Sequence, residues 1–227
     1  MTQLLQKELD KLKNQLLTLS AVVEEAVRKA SQSLETFDAV IARQVIGADQ
    51  QINQMEVELE EECLKVLALH QPVAIDLRYI VAVLKINNDL ERIGDLASNI
   101  AERALTLAGE ARITPPFDCA RMADKAQTML NKSLDCLVQM DIRLARQVLK
   151  LDDEIDQQHR ENFGLIKDQI RLQPEKIDAL SQYLTVSRHL ERIADLATNI
   201  AEDVYYMIEG EIVRHTSSWC NGAPDNN

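Results

Sequence analysis

Apolar residues recur along this chain at three- and four-residue intervals, as in Leu9, Leu12, Leu16, Leu19 and Val23. That is the period of one face of an α-helix. Helix-breaking residues divide the pattern into six predicted elements. A first helix is expected from near Thr2 to about Ile46, ended by Gly47. A second covers about Asp49 to Leu69, with the Asp49 carboxylate placed to accept from the first free amides. Pro72 breaks the chain, and a third helix then runs to about Ala108, before Gly109. Thr114-Pro115-Pro116 is the strongest linker signal. Helices four, five and six are expected at about Phe117 to Leu149, Asp152 to Leu172, and Glu175 to Ile208.

The sequence repeats itself. Leu90-Glu91-Arg92-Ile93-Gly94-Asp95-Leu96-Ala97-Ser98-Asn99-Ile100-Ala101-Glu102 recurs as Leu190-Glu191-Arg192-Ile193-Ala194-Asp195-Leu196-Ala197-Thr198-Asn199-Ile200-Ala201-Glu202, with eleven of thirteen positions identical. Upstream, Asp49, Ile52, Asn53 and Glu58 align with Asp152, Ile155, Asp156 and Glu161, and Gln71-Pro72 with Gln173-Pro174 after a one-residue shift. Duplication of a unit of about 100 residues accounts for this. Three antiparallel helices bury three apolar stripes against one another. The expected fold is therefore all-α: two tandem, similar three-helix bundles at 1–112 and 115–215, followed by a frayed tail at 216–227.

Composition narrows the functional classes. Aromatic residues are only 4% of the 227, so the core must come from Leu, Ile, Val, Ala and Met. The six glycines and five prolines suit long helices. A formal net charge of -12 repels nucleic-acid backbones and anionic lipid headgroups, and attracts cations or basic partner surfaces. No cluster of Arg and Lys and no glycine-rich loop offers to hold phosphate itself. Cys63, Cys119, Cys136 and Cys220 lack C-x-x-C spacing, which reads as free thiols in a reducing compartment. The first ten residues are too polar for a signal peptide, and the longest apolar run, Tyr79 to Leu84, is too short to span a bilayer. A cytoplasmic protein without direct membrane insertion is expected. No P-loop, G-x-G-x-x-G, G-x-S-x-G or nucleophile beside a base is present, which points to a non-enzyme.

The candidate chemistry lies in carboxylate stripes. At about 100° per residue, Glu91, Asp95, Asn99 and Glu102 share one side of the third helix. Ile93, Leu96 and Ile100 occupy the opposite side, and Gly94, Ala97, Ser98 and Ala101 form a sector that permits close helix approach. Glu191, Asp195, Asn199 and Glu202 reproduce the stripe. On the second helix Asp49, Asn53, Glu56 and Glu60 align, and on the fifth Asp152, Asp156 and His159 do. Two readings compete. Such residues are commonly just the solvated face of an amphipathic helix. Alternatively, carboxylates at i and i+4 on neighbouring helices converge, and hard cations prefer several oxygen ligands. Near-identity of the stripe in two otherwise divergent halves weighs against the solvated reading and sets binding of a metal or a partner level with it; spacing does not choose between them.

The stretch Gln71-Pro72-Val73-Ala74-Ile75-Asp76-Leu77-Arg78, with Leu90-Glu91-Arg92-Ile93-Gly94-Asp95 and Asn99-Ile100, closely resembles the hallmark of PhoU proteins. So does the duplicated layout, over nearly the whole chain. The resemblance implies a regulator of the high-affinity phosphate transport system that contacts its ATP-binding subunit and the associated sensor histidine kinase. It would dampen uptake and the phosphate-starvation response when phosphate is plentiful. Homodimers or higher oligomers are usual in the family. Some members carry surface clusters of metal ions, including iron, on paired E/D-x-x-x-D motifs. Glu91 with Asp95, Glu191 with Asp195, and Asp152 with Asp156 match that motif. Asp49 with Asn53 departs from it, because a neutral amide oxygen is a weaker ligand. The second half is thus the better expected site.

Two other classes remain open to the sequence. A carboxylate-bridged metal enzyme in a helical bundle would use Glu-x-x-His motifs, and this chain has none. A metal-free structural adaptor would leave the stripes merely solvated.

Overall fold

The computed structural model describes residues 3–109 and 113–211. Six α-helices follow in order: α1 (Gln3–Thr36), α2 (Ala39–His70), α3 (Ala74–Gly109), α4 (Cys119–Gln139), α5 (Ile142–Leu172) and α6 (Ile177–Glu209). A single 3-10 turn, Pro174–Lys176, leads into α6. No strand occurs among the described residues. The tail expected after His215 lies outside them.

The first and second bundles are α1–α2–α3 and α4–α5–α6, and α3 packs on α6 to join them. Antiparallel pairing across this seam follows from two contacts. Lys85 near the start of α3 meets Asp203 near the end of α6, and Arg103 near the end of α3 meets Gln182 near the start of α6. Leu12, Leu16, Ile52, Ile86, Leu90 and Ile93 centre the first bundle, and Met122, Ile155, Tyr183, Leu190 and Ile193 the second, in one continuous core. The Phe117 and Tyr183 rings meet edge to face, 6.4 Å apart.

Two helix boundaries differ from the sequence expectation. The first turn falls at Phe37-Asp38, about ten residues before Gly47. Phe37 takes a left-handed φ of 56°, and the Asp38 carboxylate accepts from the Val40 and Ile41 amides. Gly47 lies exposed inside α2, where an added Cβ would point into open space, and the helix passes through it. The fourth helix likewise ends at Gln139, not Leu149. Met140 is left-handed at 52°, and Asp141 accepts from the Arg143 amide. Asp49 and Asp152 are therefore mid-helix residues, each about three turns into its helix. A local side-chain cap settled what one exposed glycine left ambiguous.

The small-residue sector works as expected at one position. A Cβ on Gly94 would stand 3.0 Å from two carbons of the Ile52 side chain, so α2 and α3 approach closely there. The matching pair in the second bundle is Ile155 and Ala194, both fully buried.

Candidate metal centre

The E/D-x-x-x-D pairs lie where α2 meets α3 and where α5 meets α6. Large apolar residues of each stretch turn inward: Ile93, Ile100, Ile193 and Ile200 are fully buried. Helical period then forces Glu91, Asp95, Glu191 and Asp195 toward the lips of the grooves. Their partners arrive from the neighbouring helix because Ile52 and Ile155 lock α2 and α5 inward at the same level.

In the second bundle three carboxylates converge. Oxygens of Asp156, Glu191 and Asp195 all lie within 4.8 Å of one another, with Asp156 and Glu191 half-buried and Asp195 exposed. Asp152 stands one turn before Asp156, its Oδ1 accepting from Thr198 Oγ1 at 3.2 Å. Burial, with repulsion from Asp195 and Asp156, raises the Asp152 carboxyl to about 6. Shielding by the groove walls and repulsion from Glu191 and Asp156 raise Asp195 to about 6 as well, against the pull of Arg192. Glu191 is raised by burial and by Asp156, with Arg188 and Arg192 opposing. Arg160 holds Asp156 at 3.6 Å from the solvent side. These carboxyls are raised first by loss of water around them and then by one another's charge, against the pull of the local arginines.

The first bundle is looser. Burial and the Asp95 and Glu102 charges raise Asp49, while its hydrogen bond from Asn53 opposes them. Glu91 is raised by burial and then by Asp95, Glu56 and Asp49. Asn53 spends its amide on Asp49, Nδ2 to Oδ2 at 3.4 Å, and Glu102 pairs with Arg103 at 3.0 Å. The inward oxygens Asp49 Oδ1 and Asn53 Oδ1 are buried and accept no hydrogen bond. Among the described residues, only Asp156, Glu191 and Asp195 bring three histidine, cysteine or carboxylate ligands within reach of one ion. Glu202, half-buried on α6, sits two turns beyond Asp195.

His159, aligned by sequence with the acidic stripe, turns inward instead. Its Nδ1 lies 2.9 Å from Ser187 Oγ, and the buried Asn162 donates to the same oxygen at 3.1 Å. Burial and Arg188 lower its pKa. Sequence reasoning also missed Thr198 as the residue steadying Asp152, having placed its first-half counterpart Ser98 in the small-residue sector. The helix starts had a readable signal too: Asp38 and Asp141 each precede an identical Ala-Arg-Gln-Val, at Ala42–Val45 and Ala145–Val148.

An oxygen-only set of three converging carboxylates suits a hard cation, whether a divalent ion or iron, and the unpartnered first-half oxygens are acceptors of the same kind. The molecule is thus an internally duplicated pair of three-helix bundles, each with a carboxylate-lined groove beside the seam that joins them.

The family model described as the PhoU domain matches this chain twice, over residues 16–104 and 119–204. The chain belongs to the PhoU family. It is 39% identical to the phosphate-specific transport system accessory protein PhoU homolog of Aquifex aeolicus, over 92% of this chain and 95% of that one. The homolog from Pseudomonas aeruginosa is 36% identical over 92% and 86%. Among solved structures, PhoU from Pseudomonas aeruginosa superimposes with a TM-score of 0.88 at 35% identity, covering 91% of this chain and 99% of that one. The phosphate transport system regulatory protein PhoU from Streptococcus pneumoniae gives 0.80 at 31%, covering 92% and 99%.

Proposed function

We propose that this protein is a non-enzymatic, cytoplasmic regulator of phosphate homeostasis that restrains phosphate uptake and the phosphate-starvation response. It acts through contacts with the ATP-binding subunit of the phosphate transporter and with the sensor histidine kinase, as a homodimer or higher oligomer. The observation that carries this reading is the likeness over both halves of the chain to proteins named for accessory roles in phosphate-specific transport. None of the described helices is long and apolar enough to cross a membrane, which agrees with a protein that docks on a transporter from outside the bilayer. Deleting the gene should derepress phosphate-starvation genes in phosphate-rich medium; normal repression in the deletion strain removes the reading. Affinity capture of the nucleotide-binding subunit from a native extract tests the contact directly.

The groove of the second bundle is the proposed cation site. Asp156, Glu191 and Asp195 would hold the ion, with Asp152 adjoining. A bound cation would neutralise the crowded carboxylates and tie α5 to α6. In the first bundle Asp49, Asn53, Glu91, Asp95 and Glu102 form the proposed weaker counterpart. Elemental analysis of protein purified without chelators, compared with Asp156→Ala and Asp195→Ala variants, checks the assignment; equal metal content in all three overturns it.

A further inference from the structure

The seam between the bundles is built from two copies of one helix, yet it is not symmetric in charge. Across it, Lys85 of α3 reaches Asp203 of α6 at 3.3 Å, and its ammonium lies 5.3 Å from the centre of the Tyr206 ring. The Asp203 side chain is 2% exposed, while that of Lys85 is 38% exposed. One repeat length along, Lys85 becomes Thr185 and Asp203 becomes Arg103. Tyr206 corresponds to Thr106. At the other end of the seam Arg103 Nη1 donates across it to Gln182 Oε1 at 3.2 Å, while Nη2 pairs with Glu102 of its own helix.

A duplicated helix raises a pairing problem. Leu96, which shares the face of Lys85 and Arg103 by helical period, is matched by Leu196 on α6, and both are buried. Apolar burial is non-directional, so it does not by itself tell α6 from the α3 of a second copy, and only the covalent tether would favour α6. We infer that the Lys85–Asp203 pair is the element that specifies α3-on-α6 pairing and excludes α3-on-α3. In an antiparallel α3-on-α3 seam the station held by Asp203 would carry Arg103, and Lys85 would face a guanidinium, once at each end. In an α6-on-α6 seam Asp203 would face Thr185 and lose the ammonium from its buried surroundings. Two like charges brought together at a half-buried seam disfavour the first arrangement, and loss of the ammonium's attraction for a buried carboxylate disfavours the second. The pair thus fixes how the two bundles, and the two carboxylate grooves they carry, sit relative to each other.

The test uses the full-length chain in five forms: unaltered, Lys85→Glu, Asp203→Lys, Asp203→Arg, and the exchanged pair Lys85→Glu/Asp203→Lys. Asp203→Arg recreates at that station the residue an α3-on-α3 seam would present. Amide hydrogen exchange over residues 80–90 and 200–207 reads the seam directly. Each single reversal should speed exchange there by roughly tenfold or more, and the exchanged pair should recover most of that loss, the order of coupling seen for residues in direct contact. Should a single variant unfold outright, recovery of folded protein in the exchanged pair supports the inference equally. An exchanged pair no better protected than the worse single variant overturns it, as does an Asp203→Arg seam as protected as the unaltered one.

Discussion

Asp156 of α5 and Asp195 of α6 are 39 positions apart in the chain, yet they bring carboxylate oxygens within 4.8 Å of each other, with Glu191 completing the group. In the first bundle the carboxylates of Asp49, Glu91 and Asp95 form no such group, and an amide, Asn53, holds the position of Asp156. One difference between the two grooves is residue type. An aspartate at 156 contributes charge to the groove, whereas the Asn53 amide donates to Asp49 and partly satisfies it.

Asn53→Asp should therefore convert the looser groove toward the tighter one. Metal content, measured by elemental analysis after equilibration with a divalent cation, is expected to rise relative to the unaltered protein. No rise would mean that the spacing of α2 and α3, rather than ligand charge, limits the first site.

The raised carboxyls set a pH dependence. Asp152 and Asp195 titrate near 6 in the folded chain, above the ordinary aspartate value of 3.8, so folding favours their protonated forms. Stability from this source is complete below about pH 4 and is lost as pH rises through about 6. Asp152→Asn keeps the acceptor for Thr198 and removes the charge. In metal-free protein at pH 7 it should raise Tm by about 2–4 °C, corresponding to ~1 kcal/mol after allowing for water at the groove mouth. At pH 4 the variant and the parent should melt together. A saturating cation should reverse the ranking at pH 7, and cation affinity should weaken as pH falls below about 6. Melting curves with and without chelator at the two pH values check all three outcomes.

Asp38 and Asp141 start α2 and α5 in the same way, each accepting from amides at the first turn. Replacing either with Ala should cost about 1 kcal/mol, or roughly 2–4 °C in Tm, while Gly47→Ala, at an exposed mid-helix position, should stabilise by about 1 kcal/mol. Thermal unfolding of the three variants distinguishes the observed turn at Phe37-Asp38 from one at Gly47, where the ranking would invert.

Ile52 is 1% exposed and fills the narrow approach of α2 to Gly94. Ile52→Ala should lower stability by about 2–5 kcal/mol through the lost burial and the cavity it leaves. Chemical denaturation gives the value directly. A loss under 1 kcal/mol would show that the two helices collapse together without it.

Much of this molecule was legible from one dimension. The three- and four-residue spacing of Leu, Ile and Val dictated helices, and the near-identical segments beginning at Leu90 and Leu190 dictated two copies of one unit. Helical period alone also put Glu191 and Asp195 on one side and Ile193 on the other, because side-chain direction within a helix depends only on residue number. Tertiary structure decided what depends on neighbours. It placed Asp156 against Glu191 and Asp195, and it turned His159 inward to Ser187. It also joined Lys85 to Asp203 across 118 positions of chain. Contacts between helices are set by how apolar faces interlock and by which charges then meet, and neither is written in the spacing of a single helix.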